Sequence, residues 1–142
     1  MQFQKVVGLE NIKKHLIQQV QGNKVPHAQL FLNRPGAGGL PLALAFAQYL
    51  VCQNPNDNDS CGVCSSCNKA QKLIHPDIHM TYPVIRKEGA KSPPVSSDFA
   101  LQWRTQMLKN PYISEYEWLQ SINSESKQGN ITREEASQII QS

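Results

Sequence analysis

The chain has 142 residues, room for one domain of ordinary size around one hydrophobic core. Its net charge of +3, from 14 Lys and Arg against 11 Asp and Glu, is scattered, with only Arg86, Lys87 and Lys91 loosely grouped, and it lacks the clustered basic face of a nucleic-acid binder. No apolar run reaches the roughly 18 residues of a membrane span and the opening MQFQKVVGLE is no signal peptide, so no membrane contact is expected and the cytoplasm is the expected compartment.

Leu9, Ile12, Leu16, Ile17 and Val20 recur at helical spacing and predict an amphipathic helix over about 9–21, ended by Gly22 and Asn23. The apolar run Ala28-Gln29-Leu30-Phe31-Leu32 predicts a strand that enters a glycine-rich turn, Asn33 to Gly39. Pro41 suits a first helical turn, and beyond it Leu42, Ala45, Phe46, Tyr49 and Leu50 line one face of a second helix. Strand, glycine loop and helix in this order make a phosphate-loop arrangement within an α/β fold. Residues 53–60 are turn formers, a short helix is expected over about 66–74, and residues 78–85 predict a second strand. Loops are expected at 86–97 and 123–130. Between them, one helix carries Phe99, Trp103 and Met107 on one side, and a second opens with a capping box, Ser114 and Glu117, ahead of Trp118, Leu119 and Ile122. A last capping box, Thr132 and Glu135, begins a helix whose apolar positions are Ala136, Ile139 and Ile140.

Four cysteines, Cys52, Cys61, Cys64 and Cys67, follow the spacing C-x8-C-x2-C-x2-C. In a reducing compartment such a cluster predicts metal ligation, not disulfides. Each C-x2-C turn presents two sulfurs to one ion at about 2.3 Å, and four thiolates leave no open position for water, so the expected cofactor is a structural Zn2+. Gln71 stands where a ferredoxin-type cluster would need a further cysteine, and His75 and His79 are not needed as ligands.

A nucleotide-binding phosphate loop needs G-x-x-x-x-G-K-[ST], whose lysine contacts the β and γ phosphates and whose hydroxyl holds Mg2+. Over Asn33 to Leu40 the chain keeps Gly36 and Gly38 but has Asn33 at the first glycine, Gly39 at the lysine and Leu40 at the hydroxyl, directly before Pro41. This degenerate loop has lost its chemistry. No ATP binding, no nucleotide cofactor and no catalytic residue are expected.

The opening helix, His27-Ala28-Gln29-Leu30-Phe31, the glycine loop, Ala45-x-x-x-Tyr49-Leu50, the cysteine module and His75-Pro76-Asp77-Ile78 together resemble the first domain of bacterial DNA polymerase III clamp-loader subunits. The degraded loop resembles that of the delta-prime subunit family, and residues 86–130 look like a tryptophan-bearing variant found in Bacteroidetes. The resemblance implies an incomplete AAA+ type P-loop fold over residues 1–142, with a zinc module at 52–67, a variable helical insert at about 86–130, and Walker B, sensor and arginine-finger segments and later domains beyond Ser142. It implies a non-catalytic scaffold that works with gamma/tau and delta subunits to load the sliding clamp onto primed DNA. In that family's sheet the two predicted strands are separated by later ones, so the 142 residues alone are expected to self-associate or pack non-natively. A gamma/tau-like ATPase is disfavoured by Gly39. A freestanding zinc-module nucleic-acid binder is disfavoured because residues 52–67 hold no Lys, Arg or aromatic residue.

Overall fold

The computed structural model describes residues 1–86, 89, 92–122 and 128–141, which form two compact units, Met1–Ile78 and His79–Ser142. Lys87 and Lys91 of the basic group, and parts of the loops expected at 86–97 and 123–130, lie outside the described residues.

In the first unit a 3-10 turn at Phe3–Lys5 precedes α1 (Glu10–Gln21). α1 ends as the sequence suggests. Asn23 takes a left-handed φ of 50°, while its N–H donates to Val20 and that of Lys24 to Gln19, closing a Schellman turn. Leu16 and Ile17 are buried with Phe3 and Val6 against Leu42, Ala45, Phe46 and Tyr49 of α2 (Gly39–Leu50). Leu9 and Val20 border this core, but Ile12 is 47% exposed and does not join it. α2 starts where Gly38 adopts φ 94°, and Pro41 falls in the first turn, where no intrahelical N–H bond is lost. α3 (Ser65–Gln71) is shorter than expected and ends in its own Schellman turn, with Leu73 at φ 54° and the N–H of Ile74 bonded to the Lys69 carbonyl.

The strand expected at 28–32 does not form. Phe31 packs toward the core, but Leu30 and Leu32 are 87% and 89% exposed, and among the described residues no neighbouring segment supplies a hydrogen-bond ladder. A strand is defined by its partner, so an apolar run without one remains merely extended.

In the second unit the strand expected at 78–85 is reduced to one antiparallel bridge between Val84 and Asn130. The α/β class is therefore corrected for the described residues, which are helical and contain no strand ladder. The physical reason is the same lack of partners. A 3-10 turn, Ser96–Phe99, runs into α4 (Ala100–Lys109), followed by α5 (Glu115–Ser121) and α6 (Arg133–Gln141). Phe99 and Met107 are buried as expected. Trp103 stacks on Tyr82 at 4.0 Å between ring centres, and Trp118 meets both rings edge-on. The Ser114 and Glu117 capping box is complete, the serine hydroxyl accepting the Glu117 N–H and the carboxylate accepting the Ser114 N–H.

The box at Thr132 and Glu135 is only half made. Thr132 Oγ1 accepts the Glu135 N–H at 3.3 Å, but the Glu135 carboxylate is buried and turned away to accept the Ser96 N–H at 2.5 Å and the Thr81 hydroxyl at 3.3 Å. Ala136, Ile139 and Ile140, the apolar positions of this helix, are exposed, whereas Glu135 is buried.

Candidate metal centre and phosphate loop

The four cysteine sulfurs lie within 4.8 Å of one another, and Cys61 and Cys67 are 3.9 Å apart. Edges of a tetrahedron around a cation with 2.3 Å bonds to sulfur measure about 3.8 Å, so the gathering is of the right size. None of the four is in a disulfide. The backbone is wound to serve the sulfurs: the Cys61 N–H donates to Cys52 Sγ at 3.2 Å, the Cys64 N–H to Cys61 Sγ at 3.4 Å and the Cys67 N–H to Cys64 Sγ at 3.4 Å. Gly62 takes φ 74° within the Cys61–Cys64 turn, and Cys64 caps the start of α3. Donated N–H groups favour thiolates. The Cys67 N–H, followed by that of Gln53, holds the Cys64 thiol down to about 6, and the N–H groups of Val63 and Cys64 lower Cys61. Burial pushes Cys52 up and Cys67 up to about 12. Two thiols are thus biased toward the thiolate and two away from it, a donor set suited to a metal ion bound with loss of protons.

The loop between Cys52 and Cys61 is anything but a solvated tether. Asn56 Oδ1 accepts the N–H groups of Asn58 and Asp59, folding the chain back, and buried Asp59 accepts the N–H groups of Phe3 and Gln4, each at 3.0 Å.

Asn33, Gly36, Gly38, Gly39 and Leu40 are brought together in a turn leading into α2, with Gly36 at φ 76° and the Ala37 N–H bonded to the Arg34 carbonyl. The Asn33 side chain, whose Nδ2 donates to the Arg34 carbonyl at 2.7 Å, lies directly over Gly39. A Cβ on Gly39 would fall 1.9 Å from Asn33 Oδ1. The space beside Gly39 is filled by this amide.

The family model described as DNA polymerase III, delta subunit, matches residues 8–138. The chain belongs to that family. The family is of AAA+ type, and this member carries the four-cysteine cluster. Over 68 residues the chain is 37% identical to "DNA polymerase III subunit delta'" of Escherichia coli (strain K12), covering 48% of this chain and 20% of the relative. It is 29% identical over 72 residues to the protein of that name in Bacillus subtilis (strain 168), covering 51% and 22%, and 33% over 70 residues to that of Yersinia pestis, covering 49% and 21%. The chain thus matches about a fifth of the length of these curated relatives. No solved structure matches it.

Sequence reasoning found the cysteines and the altered loop of this family member but missed Gln2, Gln48, Asp59 and Ser60. Asp59 and Ser60 sit in a polar run that reads as turn. One signal was available: Gln48 interrupts the apolar face of α2 between Ala45 and Tyr49, yet it is fully buried.

Proposed function

We propose that the chain is part of a delta-prime type subunit of the DNA polymerase III clamp loader and that its role is that of a non-catalytic scaffold. In this reading it works in the cytoplasm beside gamma/tau and delta subunits, through which it helps place the sliding clamp on primed DNA. Residues 1–142 belong to a AAA+ like first domain with the zinc module at 52–67 and a variable helical insert at about 86–130. The observation that carries the scaffold reading is Gly39 with Asn33 packed over it. A loop without lysine or hydroxyl offers a nucleotide only backbone N–H groups, and phosphoryl transfer needs much more. Among the described residues no helix is long and apolar enough to cross a membrane, which agrees with a replication role.

Cys52, Cys61, Cys64 and Cys67 are proposed as the four ligands of a structural Zn2+. The ion would supply the charge that ionises Cys52 and Cys67 and would fix the turns around it, with no part in a reaction. Two measurements test the reading. Elemental analysis is expected to give one zinc per chain, and iron or no metal would refute the centre. A clamp loader reconstituted with the subunit containing this chain is expected to load clamps using ATP hydrolysed by gamma/tau alone, and phosphate release by the delta-prime type subunit itself would return it to the ATPases.

A further inference from the structure

The amino terminus is bonded to the cysteine module at several points within a few residues of Cys61. Asp59 is 8% exposed and uses both oxygens: Oδ1 accepts the N–H groups of Phe3 at 3.0 Å and Ser60 at 2.7 Å, and Oδ2 accepts that of Gln4 at 3.0 Å. The carbonyl of Ser60 accepts Gln2 Nε2 at 2.8 Å. Its hydroxyl accepts Gln48 Nε2 at 2.9 Å, and Gln48 Oε1 accepts the Met1 amino group. The Gln2 carboxamide also rests on Gly62, where a Cβ would meet it at 2.8 Å. Gly62 lies inside the turn that presents Cys61 and Cys64. Behind these bonds Phe3 and Val6, each 2% exposed, enter the core.

We infer that Gln2 and Asp59 are positioning residues for the four-cysteine centre, so that metal binding and docking of residues 1–6 are cooperative. The inference rests on the metal reading above. Its logic is linkage: the ion fixes both ends of the loop from Cys52 to Cys61, that loop holds the backbone of residues 2–4, and whatever the first favours the second must favour equally. Residues 2–4 and the cysteine turns share hydrogen bonds directly, so no longer relay is needed. Supports of this kind, which orient ligands without touching the ion, are worth 10-fold to 100-fold in affinity in metal sites generally.

The test uses the whole chain. Zinc affinity is measured by competition with a chromophoric chelator, and amide hydrogen exchange at Phe3 and Gln4 is followed with and without zinc. Asp59→Ala is expected to weaken zinc binding roughly tenfold. Asp59→Asn keeps one acceptor oxygen and is expected to fall between it and the native chain. Gln2→Ala removes one bond and the packing on Gly62 without touching the core, and a loss of several-fold is expected of it, which carries the test if Asp59→Ala does not fold. Ser114→Ala, which removes a helix cap in the second unit, is the control and should leave affinity unchanged. Stripping zinc should speed exchange at Phe3 and Gln4 at least tenfold while α1 stays protected. Native affinity in both Gln2→Ala and Asp59→Ala, or equal exchange at Phe3 and Gln4 with and without zinc, overturns the coupling while leaving the metal centre intact. Failure to take up zinc at all overturns the metal reading, and this inference with it.

Discussion

The Asn33 side chain occupies the space a side chain at position 39 would need. Gly39→Lys with Leu40→Thr must move the exposed Asn33 side chain, whose amide would lie 1.9 Å from the new Cβ, so the doubly substituted chain is expected to gain less than about tenfold in affinity for labelled Mg-ATP. Adding Asn33→Gly clears the space, and a gain on the order of tenfold is expected, the scale of a charged hydrogen bond. None of these chains should release phosphate at steady state, because water positioning and a second Mg2+ ligand are supplied by neither substitution. The cysteines differ as sharply. In the metal-free chain Cys64, held down to about 6 by the Cys67 N–H, is a thiolate at neutral pH, whereas burial keeps Cys67, at about 12, protonated. Iodoacetamide followed by peptide mapping is expected to mark Cys64 first and Cys67 last, with the Cys64 rate falling as pH drops through 6. Equal labelling of the two would contradict the assignment.

Helix ends separate what local sequence encodes from what it does not. Asn23 and Leu73 hold equivalent left-handed positions in the Schellman turns closing α1 and α3. Asparagine tolerates that conformation, but leucine bears a Cβ clash that glycine lacks. Leu73→Gly is therefore expected to stabilise the first unit by about 0.5–1 kcal/mol in urea titrations, a gain reduced by the freer unfolded chain. At α5 the cap is complete, and Ser114→Ala should cost about 1 kcal/mol in the second unit. The Ser114 N–H and hydroxyl lower the Glu117 carboxyl below 4.5, so its support is full above that pH and is lost as acid takes the pH below it. That cap was legible because both partners lie within four residues. The motif at Thr132 reads the same way, yet Glu135 abandons its own helix start for Ser96, 39 positions away in sequence, and no local pattern announces such a choice. Strands failed for a related reason: the apolar run at 28–32 shows which side chains could be buried, while a ladder needs a second segment that the run cannot name.

At the scale of the whole molecule, the extended segment is the exposed liability. Leu30 and Leu32 face solvent, no charged residue lies between Ala28 and Asn33, and among the described residues no backbone group of 25–33 enters a backbone hydrogen bond. Segments of this kind pair with copies of themselves. The 142-residue chain is expected to show concentration-dependent growth in light scattering, and Leu30→Lys with Leu32→Glu to suppress it; a native chain that stays monomeric at high concentration would refute the expectation. Chain length argued for one core, but buried side chains gather in two units, a division decided by contacts among distant residues. The cysteine cluster was readable because its members lie close together in the sequence at a regular spacing. Its supports were not, because a buried aspartate in a polar run looks the same in sequence as a solvated one. One consequence concerns light. Both tryptophans, Trp103 and Trp118, belong to the aromatic cluster of His79–Ser142, and Met1–Ile78 holds none. Intrinsic tryptophan emission is therefore a built-in optical label for one unit: it will register the parting of the stacked Tyr82 and Trp103 rings, so the second unit can be watched without a dye.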